Sequence, residues 1–75
     1  MTAEEWIAAF ATSVEAEAPA PEEIERLLKL AAVAAHSSER IAAPVACWIA
    51  GRAGLDLDEA TEIAEEITVS AEPGG

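Results

Sequence analysis

The residue types able to do chemistry gather in one run, His36-Ser37-Ser38-Glu39-Arg40, with Cys47 a short way further on. An imidazole, two hydroxyls, a carboxylate and a guanidinium offer a base, a nucleophile and an anion clamp. Neighbouring residues on a helix point in different directions, and no oxyanion-hole signature accompanies the serines. A hydrolytic pairing of His36 with either serine is therefore not expected. Zinc is equally poorly served, because one histidine and one cysteine would leave carboxylates to complete the shell. If a helix runs through this segment, Lys29, Val33, His36 and Arg40 share one side. Arg40 would then present a bidentate donor pair on a thin cationic strip. The plainer alternative is a junction in which Ser37 or Ser38 caps a helix and Arg40 pairs with Glu39 or another acid. The pattern does not fix whether the second helix passes through His36.

Beyond that run, Cys47 sits among alanines in the least polar stretch, the setting of a small buried hydrophobe and not of a reactive thiolate. Trp48 reads as a core residue, with an interface anchor as the alternative. Arg52 falls on the same stripe as Val45, Trp48 and Ile49, so it either snorkels or meets a specific acid.

Four helical segments are expected to position these residues. Thr2 followed by Glu5 is a capping-box pattern. Trp6, Ile7, Phe10 and Val14 then repeat at helical spacing, and the first helix should end near Glu17, before Pro19. Pro21 suits the first position of a second helix. Its main apolar face is Ile24, Leu27, Leu28, Ala31 and Ala35, with Leu30 and Val33 to one side. Glu22–Arg26 and Glu25–Lys29 have the spacing of supportive ion pairs. In the third segment Pro44 belongs in the first turn, Val45, Trp48 and Ile49 form the stripe, and Gly51 and Gly54 supply the stop. Asp56 with Glu59 opens a fourth helix, whose Leu57, Ala60, Ile63, Ala64 and Ile67 face inward. The pattern gives a single helical domain over residues 1–69 and a frayed tail over 70–75. The fold class is all-α, a compact bundle or orthogonal array of about four short helices.

Composition narrows the function classes. Seventy-five residues make one domain, and nineteen of them are alanine, so large side chains for a core are few. Small domains of this kind need a staple, and a lone cysteine excludes an internal disulfide. Association with a protein partner or with copies of itself is the expected remedy. The formal charge of −11 opposes nucleic acid and anionic membranes alike. A recognition helix near Asp56 would offer Asp58, Glu59, Glu62 and Glu66 to phosphates, so the helix-turn-helix likeness of Ile49 to Leu55 does not imply DNA binding. Acyl carrier proteins share the length and acidity, but Leu55-Asp56-Leu57-Asp58 lacks their attachment serine. No signal peptide or membrane span is apparent, and a cytoplasmic setting is expected.

His36-Ser37-Ser38-Glu39-Arg40-Ile41-Ala42-Ala43-Pro44, followed by Trp48-Ile49-Ala50-Gly51, resembles a small helical domain of actinobacteria. Members occur alone or appended to molybdenum-cofactor guanylyltransferases, and an aromatic near the first helix's start, as in Trp6, fits them. The likeness runs from about Trp6 to Ile67. It implies an accessory role in molybdopterin guanine dinucleotide synthesis without catalysis, since the glycine-rich nucleotide loop of the transferase is missing. It assigns no jobs to individual residues. The sequence thus leads to a non-catalytic acidic interaction domain with no cofactor and no metal. His36, Glu39, Arg40, Trp48 and Arg52 are its candidate contact residues. The alternative is a small ligand-binding protein or enzyme subunit in which His36, Glu39 and Arg40 converge on a pocket.

Overall fold

In the computed structural model, which describes residues 1–71 (for 70 and 71 the backbone alone), four α-helices follow one another. They are α1 (Ala3–Ser13), α2 (Pro21–Ser37), α3 (Ala42–Ala53) and α4 (Leu57–Ala71). The all-α architecture is the expected one. α4 runs on to Ala71, two residues into the tail expected over 70–75, and residues 72–75 of that tail lie outside the described residues.

The helix starts follow from local chemistry. Thr2 Oγ1 accepts from the Glu5 amide, and Glu5 Oε1 accepts from the Thr2 amide at 2.7 Å, closing the capping box. Pro21 opens α2, where its missing N–H costs nothing, and Glu23 Oε1 accepts from the Ala20 amide. Asp56 Oδ2 accepts from the amides of Asp58 and Glu59 at the head of α4. Pro44 sits in the first turn of α3, as its geometry requires.

Two helix ends use one device with different residues. Gly54, at φ 69°, bonds back to Gly51 O while Leu55 N donates to Ala50 O. Glu15, at φ 57°, bonds back to Thr12 O while Ala16 N donates to Ala11 O. Both are left-handed closures that satisfy the last carbonyls of a helix. α1 therefore stops at Ser13 and not near Glu17: the Glu15 closure ends it before the prolines are reached. Gly51 lies inside α3 and plays no part as a breaker; Gly54 alone supplies the stop.

α2 is the centre of the body, packed on α3 and on α4. Leu30 is its most buried side chain, at 3% exposure, and clusters with Ala50 and Ala60. Cys47, Leu55 and Ala64 pack around that cluster. The expected face of α2 is largely kept, with Ile24, Leu27, Ala31 and Ala35 half-buried, but Leu28 lies exposed, and Leu30, placed off the stripe by periodicity, is the core residue because α2 has neighbours on two sides. One large aliphatic knob among alanines lets three backbones approach closely. α1 has no comparable packing against any other helix. The molecule spans 47 × 24 × 18 Å.

Candidate functional site

α2 continues through His36 and ends at Ser37, so the expected strip of Lys29, Val33, His36 and Arg40 is cut before its last member. His36, Glu39 and Arg40 are all exposed. Neither serine caps α3. Ser38 Oγ donates to Ala34 O at 2.8 Å and Ser37 Oγ to Val33 O, so both satisfy carbonyls of the helix they end. Ser37 Oγ also meets Thr68 Oγ1 at 2.6 Å, and Thr68 Oγ1 reaches Ala64 O at 2.9 Å. Three contacts share two hydroxyl protons, which ties the C-terminal turns of α2 and α4 together. The serines are therefore occupied in structural bonds.

Charge pairing also differs from the sequence expectation. Among the described residues the one ion pair joins Arg26 Nε to Asp58 Oδ1 at 3.8 Å, across from α2 to α4. Arg26 thus turns to α4 and not to Glu22. Both partners are well exposed, so the pair adds little stability. No cluster of three or more histidine, cysteine or acidic residues among the described residues is arranged to hold a metal ion.

A half-open groove of about 620 Å³ runs beside the ends of α2 and α4 and the start of α3. Val33, Ala34, His36, Ala46, Ile67 and Thr68 help to line it, whereas Glu39 and Arg40 do not. The structure brings His36 to this groove without its two charged neighbours.

α3 is turned opposite to expectation. Its small residues, Ala42, Ala43, Ala46, Cys47 and Ala50, are the ones wholly or partly covered. Val45, Trp48 and Ile49 face outward, with Trp48 61% exposed, and Ile41 extends the same surface. Trp48 is consequently not a core residue. The packing partner of α3 is α2, and only small side chains fit between two helices in close contact. Arg52 meets no acid among the described residues: its guanidinium carbon lies 5.0 Å from the centre of the Trp48 ring, a cation–π contact. Cys47 Sγ reaches Leu27 O at 3.8 Å, and burial pushes its thiol pKa up from the ordinary 9.0. That agrees with an unreactive structural cysteine.

α1 carries the second exposed apolar surface, and none of its residues is among the contact candidates that the sequence offers. Trp6, Phe10 and Val14 are each 56% exposed. The rings of Trp6 and Phe10 stack, with centroids 5.2 Å apart and planes at 10°. The i, i+4, i+8 spacing is visible in the sequence, and the structure leaves this stripe exposed.

These features define a small all-α domain whose largest apolar side chains lie outside. A family described as a domain of unknown function (DUF6457) matches residues 1–73, and the chain belongs to that family. Neither a curated protein nor a solved structure matches it. No helix among the described residues is long and apolar enough to cross a membrane.

Proposed function

We propose that this domain is a non-catalytic interaction module that works by laying its outward apolar helix faces against protein. The carrying observation is the orientation of α3, with alanines inward and Val45, Trp48 and Ile49 outward. A contiguous outward surface of this kind, anchored by tryptophan and arginine, has the make-up of an interface hot spot. The net charge of −11 argues against nucleic acid and anionic membranes as the partner. A reducing cytosol suits a chain whose one cysteine is free.

The family likeness of the His36 to Gly51 region adds a narrower reading, an accessory part in molybdopterin guanine dinucleotide synthesis. Both levels are tested by one purification. Tagged wild-type chain and a Trp6→Glu/Trp48→Glu variant are recovered from native cells under gentle conditions. Wild type should come out in a complex that the folded variant loses. Identical recovery of both, or wild type alone as a monomer, would overturn the module. A complex without a molybdenum-cofactor guanylyltransferase would remove only the narrower reading.

The groove beside His36 favours a second reading, a site for a small, mainly apolar ligand. A thermal-shift screen with nucleotides and pterins separates the two. Stabilisation by a ligand that is abolished by Ala46→Leu would place binding there, and its absence would end that reading.

A further inference from the structure

We infer that the partner of these faces is a second copy of the chain, and that the two copies exchange α1, each laying Trp6, Phe10 and Val14 along the other's Val45, Trp48 and Ile49. This rests on the interaction-module reading and names its occupant.

The exposed area carries the argument first. A folded monomer of 7.8 kDa is expected to expose about 4,400 Å². This chain exposes 5887 Å². The excess is roughly 1,500 Å², and roughly 1,000 Å² even when residues 70–75 are granted the full area of extended chain. Stable dimers cover about 800 Å² per partner. The surplus is therefore what one copy would contribute to a dimer interface.

Charge selects the pairing of faces. α1 carries Glu4 and Glu5 and no basic residue, whereas Arg52 is the one charged residue of α3. An antiparallel seam sets the acidic start of α1 beside the C-terminal end of α3, where Arg52 sits. Trp6 then falls near Trp48 and Ile49, Phe10 near Val45, and Val14 near Ile41. The helix dipoles favour the same alignment. Faces of matching length on one chain allow both to be covered twice in a closed two-fold pair.

The connector explains why the exchange is between copies. Residues before proline are held extended, and both Ala18 and Ala20 precede one; Ala20 has φ −70° and ψ 157°. The stretch Ala18-Pro19-Ala20-Pro21 is a short stiff spacer, and behind it α1 makes no extensive packing with α2, α3 or α4 of its own chain, burying only Ala11.

Complementation tests the exchange. Wild type, Trp6→Glu, Trp48→Glu and an equimolar mixture of the two variants are examined by sedimentation and native mass spectrometry, with circular dichroism confirming helicity. Wild type should have twice the 7.8 kDa chain mass, and each variant alone should be monomeric. The mixture should form a heterodimer weaker than wild type, because one of its two seams is intact. Phe10→Glu and Val45→Glu serve as a second pair should either tryptophan variant fail to fold. A monomeric wild type overturns the proposal while leaving the interaction module to the purification from native cells. Variants that still dimerise, or a mixture that does not, overturn the exchange itself.

Discussion

The Arg52 guanidinium lies over the Trp48 indole, 5.0 Å from its centroid, on the outer surface of α3. The contact covers part of an exposed ring and stabilises it by about 0.5–1 kcal/mol. A tryptophan placed this way has little to do with holding its own chain together.

Core and surface substitutions should therefore separate cleanly. Leu30→Ala, at the centre of the packed body, should cost about 2–5 kcal/mol in urea unfolding. Trp48→Ala should cost less than about 1 kcal/mol at protein concentrations too low for pairing. A loss at Trp48 as large as that at Leu30 would mean that the ring is buried within the monomer.

Two glycine substitutions have predicted gains of different origin. Glu15 adopts the left-handed conformation that glycine takes without strain, so Glu15→Gly should stabilise by about 1 kcal/mol. Gly51 lies in a helix with nothing within 4 Å of an added Cβ, so Gly51→Ala should also gain about 1 kcal/mol. Thermal melts of both variants check the pair, and a lowered Tm for either contradicts the backbone assignment.

The capping box of α1 should respond to acid. The Thr2 amide, and then its hydroxyl, hold the Glu5 carboxyl below its ordinary pKa of 4.5. A carboxylate with a lowered folded-state pKa stabilises above its unfolded value. That contribution is lost as pH falls through the lowered one. Helicity of α1 should thus decline only below pH 4.5. In Thr2→Ala the Glu5 titration followed by NMR should return toward the ordinary value. An unmoved titration would remove the box from solution.

Cys47 should be alkylated slowly in the folded chain, since burial disfavours its thiolate. Unfolding in urea should raise the rate at about pH 8, because exposure of the thiol releases more thiolate. Equal rates in the two states would contradict the packed position beside Leu27.

Salt should strengthen pairing and not weaken it. Two copies bring together formal charges of −11 each, which repel across any apolar seam. Raising ionic strength from ~0.01 to ~0.15 M shortens the screening length from about 30 to 8 Å and should tighten self-association by about tenfold. Weakening by salt would point to a seam dominated by ion pairs.

Much of this fold was legible in the sequence because its helix starts are written in side chains that bond locally: Thr2 with Glu5, Pro21 and Asp56. The end of α1 was not, since glutamate at position 15 has no preference for the left-handed conformation it adopts. Nor was the orientation of α3. Periodicity finds a stripe of large apolar residues, and in a helix apolar on every side it cannot say whether large or small residues are buried. Close packing against α2 decided for Ala46, Cys47 and Ala50, which put Trp48 outside. Adjacency in the chain makes the run from His36 to Arg40 look like one cluster. The end of α2 at Ser37 parts them: His36 alone helps to line the groove.

Hydroxyl-radical footprinting of Trp6 and Trp48 across a range of chain concentrations tests the central claim most directly. Both rings should be oxidised readily in dilute solution and become protected together as concentration rises. In Trp48→Glu, Trp6 should remain reactive throughout. Rings protected at every dilution, or labelled equally at every concentration, would contradict the account.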